Sequence, residues 1–224
     1  MQAKNVPWRR VIGTVLCLWG TVLSASGPGQ VCLEAAGQAA QDTGVPLAVL
    51  VAITQTETGR GQGGDVVPWP WAANGGGQSH WFDSAAEAAV WARGRIAAGA
   101  PSFDLGCFQL NYRWHGEAFA SVEAMLDPLA NATYAARFLV RLHAETGDWS
   151  RAAGAYHSRT QEHAARYRAR FDQFLAAAQT GQTGPQLAAL AAPAPPRRQN
   201  AFPLLRIGAG FGALGSLVPL EGTD

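Results

Sequence analysis

The sequence predicts a predominantly α-helical domain with a small β-hairpin over residues 28–178. Three observations carry this. Helix start and stop signals recur along the chain, with Asp, Ser or Thr before apolar-periodic stretches and Gly after them. One Gly-rich turn, Asn74-Gly75-Gly76-Gly77, lies between two aromatic-containing runs. Hydrophobic residues make up 48% of the chain and charged residues 15%, enough apolar surface for a packed core.

Cys32 to Thr43 reads as a short helix ended by Gly44. Pro46 suits the first position of the next helix, Leu47 to about Thr58, which is apolar nearly all round and is therefore expected to be buried. Glu57 stands at its end, and Gly59 and Gly61 make the chain leave the helix directly after that carboxylate. Pro68 to Ala73 and Ser79 to Phe82 form the hairpin. Ser84 and Glu87 form a capping box for a helix to about Ala98, and Gly99 ends it. Ser102 to Asn111 is a loop or short strand. Asp127-Pro128 opens a long helix to about Thr146, Asp148 caps a short one through Tyr156, and Thr160 caps the last, to about Gln179.

The flanks read differently. Lys4, Arg9 and Arg10 precede the apolar run Val11 to Leu23, about 13 residues against the ~20 that span a bilayer, and small residues come after it. Residues 1–27 are thus expected to be a secretory signal peptide, an uncleaved membrane anchor being the other reading, and the protein to be exported to the periplasm or cell envelope. Residues 179–224, with Pro193, Pro195, Pro196 and a Gly-rich end, read as a flexible tail. Cys17 falls in the signal, leaving Cys32 and Cys107. Two cysteines in an exported chain favour a disulfide; two separate buried thiols are the alternative.

A net charge of +1 gives no electrostatic case for nucleic acid. The five histidines lack metal-ligand spacing, so neither metal nor cofactor is expected. Arg166, Arg168 and Arg170 read as a solvated helix face or as a surface meeting an anionic polymer.

Three segments carry candidate chemistry. Glu57 closes a buried helix, where burial and the negative helix end both raise a carboxyl pKa, as a general acid for glycosidic cleavage requires. An exposed Glu on a last turn is the plain alternative. In Gly106-Cys107-Phe108-Gln109-Leu110-Asn111, Gln109 and Asn111 fall on one face of an extended segment, either to read sugar hydroxyl and N-acetyl groups or simply as a polar strand edge. In Ala153-Gly154-Ala155-Tyr156, small residues allow close helix packing. Tyr156 is then either a hydroxyl facing the acid or substrate, or a half-buried core Tyr. Trp69, Trp71, Trp81 and Trp114 could line a sugar groove or the core; Asp65, Asp83 and Asp104 sit by turn or cap signals and read as structural.

Taken in order, Glu57-Thr58-Gly59, Gly106-Cys107-Phe108-Gln109 and Ala153-Gly154-Ala155-Tyr156 resemble the Glu-Ser-Gly, Gly-x-x-Gln and Ala-x-Ala-Tyr motifs of the soluble lytic transglycosylase family, over about residues 30–178. The resemblance implies a lysozyme-like fold, peptidoglycan glycan strands as substrate, Glu57 as catalytic acid/base, and Gln109 and Tyr156 at the substrate cleft; Thr58, beside the acid, and Asn111, on the face of Gln109, are expected to bind substrate with them. Thr58 stands where the family has Ser, His157 where it has Asn, and the segment 61–104 is longer than in many members, as in a branch with an added hairpin and helix. A monomer is expected. Two other functions fit the same residues: a hydrolytic muramidase, which needs a second carboxylate, and a non-catalytic peptidoglycan-binding assembly factor whose tail docks on an envelope-spanning machine.

Overall fold

The computed structural model describes residues 27–62 and 65–181. All but the last residue of the expected signal peptide, and all but the first residues of the expected tail, lie outside them. Eight helices are described: α1 (Pro28–Thr43), α2 (Leu47–Thr58), α3 (Ala85–Ala97), α4 (Tyr112–His115), α5 (Val122–Leu126), α6 (Pro128–Thr146), α7 (Trp149–His157) and α8 (Gln161–Gln179). Six short strands accompany them: β1 (Arg60–Gln62), β2 (Asp65–Val67), β3 (Ala72–Gly75), β4 (Gln78–Trp81), β5 (Phe103–Leu105) and β6 (Leu110–Asn111). The fold is predominantly helical with a small antiparallel sheet, as the helix signals and the glycine turn predict.

Helix α2 is the hub. Leu50, Val51, Ala52 and Ile53 are fully buried, each large side chain contributing about 1.5–3 kcal/mol by leaving water. It packs on α1 and α8; α1 also lies on α6, and α7 packs against both α6 and α8. Capping agrees closely with the sequence signals. Ser84, Asp127 and Asp148 each accept a backbone N–H three residues on. Two details differ. Glu87 reaches back to the N–H of Asp83 rather than to Ser84. Thr160 precedes α8 without a side-chain cap bond.

The β region is larger than one hairpin. β3 and β4 pair around the Gly76-Gly77 turn as expected. Phe103–Leu105 and Leu110–Asn111, expected as a loop or single strand, add two more strands in the order β4-β3-β5-β6. β1 and β2 form a separate two-stranded ribbon. The short helices α4 and α5 were not expected: Asn111 and Ser121 cap them, but four and five residues are too few to show an apolar period.

Cys32 of α1 and Cys107 are disulfide-bonded, with Cα atoms 5.6 Å apart. Both are fully buried. The bridge ties the first helix to the loop between β5 and β6.

Candidate active site

Glu57 occupies the penultimate position of α2, half-buried, where the apolar helix ends. Close approach constrains the chain directly beyond it. A Cβ on Gly59 would lie 2.3 Å from the Gln55 carbonyl oxygen and 2.4 Å from Val66 Cγ1, so only glycine lets β2 cross so near the helix end. Glu57 lines a cleft of roughly 330 Å³ whose walls come from β3 to β6, α4, α6 and α7.

Tyr167, from α8, donates its hydroxyl hydrogen to Glu57 Oε1 at 2.8 Å. Burial pushes the Glu57 carboxyl from 4.5 up to about 8; the Tyr167 hydrogen bond opposes this, the charge of Asp104 adds to it, and Arg170 opposes it. A carboxyl in that range holds its proton at neutrality and can donate it. Tyr167 itself is buried, stacked on the His157 ring with centroids 4.6 Å apart. Burial, and next the Glu57 charge, push its hydroxyl well above the usual tyrosine value, so it remains a donor. Sequence reading missed Tyr167: it stands among arginines and alanines on α8, 110 positions along the chain from its partner.

The turn from Gly106 to Gln109 lies beside α2 and is held from two sides. Thr54 donates to the Cys107 carbonyl at 2.8 Å. Asn131, fully buried on α6, accepts from the Phe108 N–H at 2.9 Å and donates to the carbonyls of Leu105 and Met125. Gly106 has φ +81°, and a Cβ there would sit 2.7 Å from the Asn131 side chain, so the turn requires glycine on both counts. Gln109, at φ 45°, is the single described non-glycine residue in the left-handed region. Its Nε2 donates to the carbonyls of Ala72 and Gly106, both at 3.0 Å, which fixes the amide at the cleft wall.

Strand register produces a feature that no motif announces. Asn74 pairs with both Ser79 and Asp104, and Asp104 pairs with Asn111. Directly opposed residues share a face, so Ser79, Asn74, Asp104 and Asn111 form one polar row across the four strands, and all four line the cleft. Asn111 Nδ2 donates to Asp104 Oδ1 at 2.8 Å, while its Oδ1 caps α4. Burial pushes the Asp104 carboxyl up, against the pull of that hydrogen bond.

The structure brings Glu57, Gln109, Asn111 and Tyr156 together around the cleft. It leaves Thr58 out, which corrects the expectation of a substrate contact there. Thr58 is buried; its hydroxyl lies 3.0 Å from the Thr54 carbonyl and 3.3 Å from that of Cys107, and accepts from the Trp69 N–H. Its role is to seat the Cys107 turn on the helix. Tyr156 is also corrected in part. Its hydroxyl donates to the Phe108 carbonyl at 2.7 Å, not to the acid, so it reaches the cleft by its ring and its lone pairs. Asp104, read as structural, stands in the cleft with Glu57; Asp83 is exposed outside it. Trp81 and Trp114 are exposed on the cleft rim, at 44% and 72%. Trp71 packs against the core and Trp69 donates to the Phe82 carbonyl. Among the described residues no cluster of His, Cys, Asp or Glu could hold a metal ion, and no helix is long and apolar enough to cross a membrane.

Compared with family models, with curated proteins and with solved structures, the chain matches nothing.

Proposed function

We propose that this chain is an exported lytic transglycosylase, which cleaves the β-1,4 bond between the muramic and glucosamine sugars of peptidoglycan with Glu57 as its single acid/base. The observation that carries the reading is the half-buried Glu57 carboxyl, raised to about 8, on the floor of an open cleft rich in amides and hydroxyls. The ordered resemblance of the three motifs to the soluble lytic transglycosylases supports the same reading.

The chemistry runs in two steps. Glu57 protonates the departing glycosidic oxygen. The N-acetyl carbonyl of the muramic sugar stabilises the positive charge left at the anomeric carbon. Glu57, now ionised and held by the Tyr167 hydroxyl, takes the proton from that sugar's own C6 hydroxyl, whose oxygen closes on the anomeric carbon. An internal attacker has a high effective concentration compared with a water that must be recruited. The polar row Ser79, Asn74, Asp104 and Asn111 offers hydrogen bonds to sugar hydroxyl and N-acetyl groups, and the exposed faces of Trp81 and Trp114 suit the apolar faces of pyranose rings.

A hydrolytic muramidase is the second reading, and Asp104 is the observation that favours it. A carboxyl sharing the cleft with Glu57 is what a hydrolase needs to position or activate water. Mass spectrometry of digested sacculi separates the two. Ends of the 1,6-anhydro-muramic type, lighter by one water, are expected; ordinary reducing ends would replace this reading by the hydrolase.

A further inference from the structure

Glu57 opens on two hollows. Besides the main cleft it lines a second, open recess of roughly 340 Å³ on the α7–α8 side, bounded also by His157, His163, Arg166, Tyr167 and Arg170. His157, whose ring stacks on Tyr167, borders both spaces as Glu57 does. The recess differs in character from the cleft. The cleft presents amides, hydroxyls, imidazoles and one carboxyl besides Glu57, but no guanidinium. The recess presents two guanidiniums and an imidazole from successive turns of α8.

Those cations are differently committed. Arg168, between them in sequence, is turned away; its stem packs over Gly154 and its Nε donates to Ser150. Arg166 bonds Glu162 one turn earlier, an exposed pair that contributes little to folding. Arg170 lies over the Phe174 ring and, among the described residues, has no carboxylate at salt-bridge distance. Its charge instead acts on Glu57 and Tyr167. A guanidinium in a concavity beside the acid has a fork of donors free for a planar anion.

We infer that this recess is a carboxylate-binding subsite, in which Arg170 and Arg166, with His163 beside them, hold an acidic group carried by the glycan strand on the muramic side of the cleaved bond. The inference rests on the glycan-cleavage reading above and names the substrate class more narrowly: strands that bear carboxylates, not neutral amino-sugar polymers. Two sources share the chemistry. One is the free lactate of a muramic sugar stripped of its peptide; the other is a carboxylate of an attached peptide. Either would also act on the acid. Arg170 favours the ionised form of Glu57; an anion seated on Arg170 offsets that field and favours the protonated form that begins the reaction, while Tyr167 and Asp104 continue to act from α8 and β5. Binding of the correct strand and charging of the acid with its proton are thereby coupled.

The test compares four substrates for each protein: peptide-free strands, peptide-bearing strands, and the methyl ester of each. Wild type is expected to prefer carboxylate over ester by about tenfold in kcat/KM, the factor of one net charge-assisted hydrogen bond. Preference with peptide-free strands assigns the lactate; preference confined to peptide-bearing strands assigns the peptide. In the double variant Arg166→Gln/Arg170→Gln that ratio should fall below about twofold. Because it is a ratio within one protein, partial misfolding does not alter it. A wild type that cleaves acid and ester forms alike, or a variant that keeps the wild-type ratio, overturns the subsite while leaving glycan cleavage intact. A wild type that cleaves none of the four substrates overturns the cleavage reading itself.

Discussion

The hydroxyl of Tyr167 and the carboxyl of Glu57 meet at 2.8 Å, with the tyrosine as donor. The bond stabilises the ionised carboxylate against the burial that disfavours it. Tyr167→Phe is therefore expected to raise the Glu57 pKa above about 8, moving the basic limb of the kcat/KM–pH profile upward. It should also lower kcat by about tenfold, because the first step leaves Glu57 ionised and that carboxylate would lose its hydrogen bond. A profile that stays in place would show that Tyr167 only fills space.

Glu57→Gln keeps the shape and removes the proton. Loss of a general acid typically costs 10²–10⁴-fold, and the high end is expected because a single acid serves both steps. The same change should stabilise the fold, and linkage sets the sign. Folded Glu57 holds its proton to about pH 8, whereas the unfolded group releases it near 4.5. Between those values the unfolded state binds fewer protons, so stability falls as pH rises, by about 1.4 kcal/mol per unit. It is fully present below the lower value and its loss is complete above the upper one. The stability gain of Glu57→Gln should thus be near zero at pH 4 and reach at most about 5 kcal/mol at pH 9. Denaturant melts at both pH values measure it; a gain independent of pH would contradict the burial argument.

Asp104→Asn separates the two enzymatic readings. Its charge raises the Glu57 pKa, so the variant should move the basic limb downward while still yielding anhydro ends, and its bond from Asn111 Nδ2 can persist to the new amide oxygen. A loss of more than about a thousandfold in kcat, with ordinary reducing ends from wild type, would make Asp104 a reacting carboxylate.

Asn131→Ala removes the partner of the Phe108 N–H and of two carbonyls inside the protein. Each orphaned group costs about 1–3 kcal/mol, so a loss of roughly 3–5 kcal/mol is expected. Activity of the remaining folded fraction should fall as well, because the Gly106–Gln109 turn loses its anchor on α6. Thermal melts read the first effect, and activity per folded molecule the second.

Much of this was legible in the residues. Caps at Ser84, Asp127 and Asp148, and the glycines after α1, α3 and α6, are local signals with local causes, and the helices they bound stand where expected. Glu57 was legible because a charge at the end of an apolar helix calls for a reason. Cys32–Cys107 came from counting. What escaped depends on register and long-range packing. Asn74 read as a turn residue and Ser79 as the start of a hairpin strand; only strand pairing aligns them with Asp104 and Asn111. Asn131 falls inside the long helix expected from Pro128, and nothing in its neighbours marks it as the anchor of a turn 23 positions earlier. Thr58 misled because a residue beside the acid in sequence points the other way on the helix, into the core.

The packing of α2 against α8 has a consequence for the order in which the molecule comes into being. On a growing chain Glu57 emerges long before Tyr167, Arg170 and the His157 ring that flanks them. Until α8 is made, α2 has no partner for its face toward it, and the acid lacks its hydroxyl donor and the burial that this helix adds. A chain interrupted anywhere before α8 would thus carry the acid as an ordinary carboxylate. On the glycan-cleavage reading proposed above, the capacity to cut would therefore be acquired only once α8, ending at Gln179, has been made.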